Sequence, residues 1–220
     1  MSPKLLLTFL LLTIASTAQA DDATQAEITN LPHITHTKSG HAGDPINLGL
    51  VGTRQNIIKA MEAAGWFPAD PVTVKTSLEI AGSVLLRHSY KAAPVSALFY
   101  QGRKQDLAFE KPDGKSAAHR HHVRFWSVLD KGADGRPVWL GSGTYDKSVG
   151  LSHVNGKITH HIAADVDAER DRIVSDLNAA KRLISDYFVK GTDPIKDARN
   201  GGGDHYHTDG QIHFAAIADQ

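Results

Sequence analysis

An α+β domain, mainly antiparallel sheet packed with two or three helices, is what the sequence predicts, and three observations predict it. Between Val95 and Ile162 apolar residues recur at every second position, in short runs separated by Gly, Asp and Lys turns. That period belongs to strands with short connections, which favour antiparallel pairing. Stretches opening at Thr53 and Asp165 repeat at helical spacing instead. Some 200 residues follow the first twenty, roughly one domain's length and enough to bury a substantial core.

The elements follow in order. Residues 1–20 read as a cleavable export signal: Lys4 carries positive charge, Leu5 to Ile14 are apolar, and Ala18-Gln19-Ala20 is a small-x-small cleavage site before Asp21. The apolar run falls short of the roughly 18 residues that span a bilayer, so no stable membrane anchor is expected and the location is periplasmic or secreted. Residues 21–43 are polar, without apolar period, and read as a flexible leader. Ile46, Leu48 and Leu50 alternate as a short strand. Thr53 is the N-cap of a helix carrying Ile57, Met61 and Ala64, with Gly65 as its stop. Leu78, Ala81, Val84 and Leu85 suggest a second helix. Val95-Ala97-Phe99, Leu107-Phe109, Val123-Phe125, Val138-Leu140 and Ile158 to Ile162 are the expected strands. Acidic residues from Asp165 to Asp171 suit a helix N-terminus, and Ile173, Leu177, Ala180, Ile184 and Phe188 continue that helix as one apolar stripe. The domain therefore runs over residues 44–190, and residues 191–220, with Gly201-Gly202-Gly203, read as a flexible tail.

Composition narrows the chemistry. The chain has no cysteine, which removes disulfides, thiolate metal ligands and a thiol nucleophile. Lys plus Arg equals Asp plus Glu, 24 against 24, so bulk charge points to no nucleic-acid partner. Histidine is abundant, 13 residues, and occurs in groups. No Gly-x-Ser-x-Gly elbow, Walker loop or His-Glu-x-x-His motif is present. Trp66, Phe67, Trp126 and Trp139 are read first as core aromatics.

Polar chemistry concentrates in Gly102-Arg103-Lys104-Gln105-Asp106, His119 to Trp126, Tyr145-Asp146, and Thr159-His160-His161 running into Asp165 to Asp171. Three candidate sets follow. Imidazole and carboxylate suit a divalent metal such as zinc, with the ligands drawn from His121 or His122, one of His160 and His161, and a carboxylate such as Asp165 or Asp167; strand alternation keeps neighbouring histidines off one ion. Arg103, Lys104, Gln105, Arg124, Trp126 and Asp146 form the set for an anionic or glycan-like ligand, since arginine's planar fork suits carboxylate and phosphate. His121, His122 and His161 with Asp106 form the general acid-base set. The plain alternative is an antiparallel face on which Arg103 and Arg124 pair with Asp106, Glu110 or Asp146.

Asp44-Pro45-Ile46-Asn47, Ala63-Ala64-Gly65-Trp66, Ala81-Gly82-Ser83-Val84, Gly102 to Glu110, His121 to Trp126, and His160-His161-Ile162 through Arg170-Asp171 together resemble the LssY carboxy-terminal domain family, over about Asp44 to Leu177. The resemblance implies a setting rather than a reaction. Some members of that family join this domain to multi-pass membrane proteins carrying a PAP2-type lipid phosphatase, which points to envelope lipid or polymer metabolism. The phosphatase chemistry does not carry over: Ser39-Gly40-His41 echoes one of its motifs, but the partner Arg/His motifs are missing. Two functions remain open, a module that binds an anionic or glycan/lipid-derived envelope ligand and an envelope hydrolase, metal-assisted or not.

Overall fold

The computed structural model describes residues 25–69, 96–114, 119–154, 156 and 158–219; the export signal and the helix expected at Leu78 to Leu85 lie outside them. The strands are β1 Ile34–His36, β2 Ala42–Pro45, β3 Leu48–Val51, β4 Phe67–Pro68, β5 Phe99–Tyr100, β6 Arg103–Lys104, β7 Leu107–Pro112, β8 Arg120–Leu129, β9 Val138–Leu151, β10 Ile158–Ile162, β11 Leu183–Lys190, β12 Ile195–Arg199, β13 His205–Thr208 and β14 Gln211–Ile217. The helices discussed below are α1, Arg54–Ala63, and α2, Val166–Ala179. The predicted α+β class with a mainly antiparallel sheet is what the chain adopts.

The main sheet runs β11-β14-β3-β9-β8-β7-β4, with β10 continuing along β9 beyond β3. Its pairs are antiparallel except β14 with β3. A four-stranded sheet, β2-β1-β5-β6, and the hairpin β12-β13 complete the architecture. Alternation along the main sheet feeds two cores. Leu48, Leu50, Phe109, Val123, Phe125 and Trp139 meet Ile57, Met61, Ile173 and Leu177 of the two helices on one face. Trp126, Val138, Leu140, Ile212 and Phe214 meet Ile28, Leu98 and Tyr100 on the other. A sheet buried on both faces leaves room for polar side chains only where one layer stops, and that is where the candidate site lies.

Local chemistry explains the helix ends. Thr53 caps α1, its hydroxyl accepting from Asn56 N, and Gly65 follows with φ +81°, the left-handed turn the sequence marks with glycine. Asp165 caps α2, accepting from Asp167 N and Ala168 N. Asn47 locks α2 to the sheet: its Nδ2 donates to Gly143 O (3.0 Å) and Val166 O (2.9 Å), and its Oδ1 accepts from Gly143 N (2.9 Å).

Three expectations are corrected. The helix does not continue to Phe188: α2 ends at Ala179, Lys181 turns with φ +56°, and the chain leaves as strand β11. Ile184 and Phe188 are largely exposed rather than part of an inward stripe. The leader is not structureless, because Ile28 is wholly buried in the second core and Ile34–His36 pairs with β2. Nor does the tail lie outside the fold. It supplies β12, β13 and β14, and β14 lies inside the main sheet between β11 and β3.

Candidate functional site

Strand alternation places Arg120, His122 and Arg124 of β8 on the same face as Trp126, with Asp146, Thr144 and Ser142 of β9 opposite them in that order. Trp126 and Leu140 close the apolar core, and the next positions along both strands are polar yet buried. Buried polar groups need partners, and here Asp146 is the hub. Its Oδ2 accepts from Arg120 Nε (2.9 Å) and its Oδ1 from His122 Nε2 (2.8 Å). Arg120 Nη1 continues to Glu110 Oε2 at 3.1 Å. Arg124 Nε donates to Ser96 O (2.9 Å), while its Nη1 stands 3.2 Å from His122 Nδ1 and 3.5 Å from Asp44 Oδ2. A guanidinium has no acceptor, so His122 Nδ1 accepts and the ring proton on Nε2 points to Asp146. His122 is thereby held between Asp146 and Arg124.

Above this row opens a cleft of about 430 Å³ whose walls include Asp44, Ser96, Ser152, His160, Asn200 and Gly202. His160 Nδ1 lies 3.1 Å from Asp146 Oδ2, off the axis of a hydrogen bond, and has no hydrogen-bond partner among the described residues. Asn200 donates to Asp44 Oδ1 at 3.1 Å, tying the β12-β13 turn to the rim. Both arginines of the floor face carboxylates, so the cleft presents donors and acceptors together rather than unneutralised positive charge.

The environment drives the carboxyls apart. Burial raises the Asp146 pKa, but its interactions with His122 and Arg120 outweigh burial and hold the carboxyl well below the usual carboxylate range. Burial also raises Glu110, and there Arg120 only partly offsets it. Burial lowers His160 by more than Asp146 raises it. The linkage has a definite sign: a group depressed in the folded state contributes stability above its unfolded pKa, about 3.9 for Asp, and loses it as pH falls toward the folded value. Glu110 works oppositely, contributing most below about pH 4.3 and losing that as pH rises through its folded value. Asp146→Asn is therefore expected to lower the melting temperature most at pH 6 to 7, with the gap to wild type narrowing toward pH 3; melts across that range check it, and a gap that widens in acid contradicts it.

Of the candidates read from the sequence, His122, Arg124, Asp146 and His160 are brought together; the rest are dispersed. His121 faces the helices, its Nδ1 2.7 Å from Glu169 Oε2 and its ring 4.8 Å from Tyr145. Burial raises the Glu169 pKa by more than His121 lowers it. His161 points away from His160 and meets Asp204 Oδ1 at 2.6 Å. Arg103 and Asp106 sit at the opposite end of β8, where both hold Ser127: Asp106 Oδ2 accepts its N–H (2.9 Å) and Arg103 Nη2 donates to its carbonyl (2.7 Å). Lys104 is exposed beside them. Gln105 Oε1 accepts from Leu98 N, and Trp126 is wholly buried with its indole N–H donating to Arg103 O (3.1 Å). Asp167 secures the start of α2, accepting from Thr208 Oγ1 (2.7 Å) and Asp209 N (2.6 Å). The acid-base set with His121, His161 and Asp106, and the metal set with His121 and Asp167, thus do not converge, because strand parity sends alternate histidines to opposite faces.

Arg120, Asp44 and Asn200 are among the cleft residues the candidate sets lacked. Arg120 was legible from parity with His122, and Asp44 stood out only as part of the motif Asp44-Pro45-Ile46-Asn47; Asn200 was not legible, since it lay in the segment read as tail.

Comparison with known proteins gives one match. A family model described as LssY C-terminus aligns with residues 28–212, most of the chain, extending past the motif-bearing segment into β14. No curated protein and no solved structure matches.

Proposed function

The chain belongs to the LssY C-terminus family, and from that premise we propose that it binds a hydroxyl-rich envelope ligand, a glycan or a lipid-derived headgroup, in the cleft above Arg120, His122 and Arg124 after export directed by residues 1–20. One observation carries the reading: a buried, mutually hydrogen-bonded row of Arg, His and Asp floors a cleft whose rim holds Asp44, His160 and Asn200. Polar groups fixed by one another are pre-organised, so little ordering entropy is lost on binding. Mixed donors and acceptors suit hydroxyls, each of which gives and takes a hydrogen bond. The engaged arginines disfavour a purely anionic ligand, and the aromatics that would stack on sugar rings, Trp66, Trp126 and Trp139, are core residues. Among the described residues no helix is long and apolar enough to cross a membrane.

A panel of soluble envelope glycans and glycerophosphate headgroups tests this by thermal shift. A ligand at 100 times its Kd stabilises by about 2.7 kcal/mol, roughly 5–10 °C for a chain of this size. At least one panel member is expected to produce such a shift, and His160→Ala to reduce it to about 1 °C or less. A wholly inert panel contradicts the reading.

A second reading, hydrolysis of envelope material, is supported by His160 lining the cleft with its Nδ1 3.1 Å from Asp146 Oδ2, near enough for a small ring rotation to make Asp146 the orienting carboxylate of a general base. It requires turnover of a phosphoester or glycosidic probe that disappears in His160→Ala.

A further inference from the structure

We propose that His153, His161 and Asp204 form a zinc-binding site that joins the β9-β10 hairpin to the β12-β13 hairpin. The three come from separate segments: the turn after β9, strand β10, and the glycine-rich turn before β13. One donor atom of each lies within 4.8 Å of the other two. His161 Nδ1 is 2.6 Å and His153 Nε2 3.7 Å from the same carboxylate oxygen, Asp204 Oδ1, and the two imidazole rings stand 5.1 Å apart. Tetrahedral zinc at about 2.0–2.1 Å from each ligand separates donors by about 3.3 Å, a spacing that lies between the 2.6 Å and 3.7 Å donor separations to Asp204 Oδ1.

The surroundings hold this arrangement. Asp204 is only 7% exposed, and its second oxygen accepts from Ile162 N at 3.1 Å, which aims Oδ1 at both histidines. Asn200 Oδ1 accepts from Asp204 N and Gly202 N, fixing the turn that carries the carboxylate. Two glycines make room for the rings: a Cβ on Gly150 falls 2.6 Å from His161 Nε2, and one on Gly203 falls 2.7 Å from His153 Cβ. The His153 side chain is 62% exposed, which leaves the outward position of a four-coordinate ion open to solvent. A chain without cysteine has no disulfide with which to tether these hairpins, and an ion supplies that tether. The tether bears on the cleft, because Ser152 Oγ donates to Gly202 O and both residues form part of its wall. The site does not depend on which ligand the cleft takes.

Zinc titration of the chelator-stripped protein, followed by calorimetry and by melting temperature, is the test. One equivalent is expected to bind, with a rise in melting temperature. His153→Ala, whose exposed side chain is not needed for folding, and His161→Ala are each expected to weaken zinc by roughly tenfold or more. Gly150→Ala keeps every donor but displaces the His161 ring, and is expected to weaken zinc as well. Absence of saturable binding overturns the proposal. So does one-equivalent binding that survives both histidine variants, which would place the ion at another pair such as His205 and Asp197.

Discussion

Removing residues 191–220 is expected to abolish cooperative folding. Strand β14 pairs along its length with β11 and in parallel with β3, so its loss splits the main sheet and leaves β11 without a partner. Ile212, Phe214 and Ile217 are wholly or nearly wholly buried, in both cores. At about 1.5–3 kcal/mol for each such side chain they contribute about 5–9 kcal/mol, comparable with the entire net stability of a domain, about 5–15 kcal/mol. The truncated chain should show no sharp thermal transition in near-ultraviolet circular dichroism. A cooperative melt within a few degrees of the full chain would mean that β14 is not part of the stable sheet.

The second large effect falls on Arg120→Ala. Arg120 is the cation between two buried carboxylates, Asp146 and Glu110. Removing one member of a buried ion pair leaves uncompensated charge and costs about 3–5 kcal/mol, which for this chain length lowers the melting temperature by roughly 6–20 °C. Adding Glu110→Gln to Arg120→Ala should recover part of the loss, because neutralising the orphaned carboxyl removes one source of the penalty. Equal destabilisation in the single and double variants would show that the loss comes from packing instead. Arg124→Ala is milder in this respect, since the surviving Asp44 carboxylate still receives the Asn200 amide.

Much of the fold could be read from patterns with a local cause. The cap at Thr53, the stop at Gly65 and the alternation through β7, β8 and β9 each follow from neighbours in sequence. What escaped reading depended on distant partners. Lys181 takes a left-handed conformation without being glycine, so nothing in the sequence marked the end of α2. In β14 both faces are buried, and Ile212 to Ile217 therefore lack the polar alternation that announces a strand. The Gly201 to Gly203 run suggested flexibility, yet Asn200 Oδ1 binds two backbone N–H groups of that turn and orders it.

The candidate site was legible to the same extent. Parity along β8 grouped His122 with Arg124, and both reach the cleft. It could not show that His160 rather than His161 turns toward Asp146, because β10 shifts register between His161 and Ile162 where it pairs with β9. Nor could it separate the two ends of β8: the Arg103 to Asp106 turn packs beside Ser127, whereas the cleft opens at Arg120.

That separation gives the most direct test of the proposal that ligand enters above Arg120, His122 and Arg124. Ligand-induced thermal stabilisation is measured for Arg103→Ala and His160→Ala side by side. Binding in the cleft predicts that Arg103→Ala keeps the full shift and His160→Ala loses it. A shift lost in Arg103→Ala and retained in His160→Ala would place the ligand at the other end of the strand and contradict it.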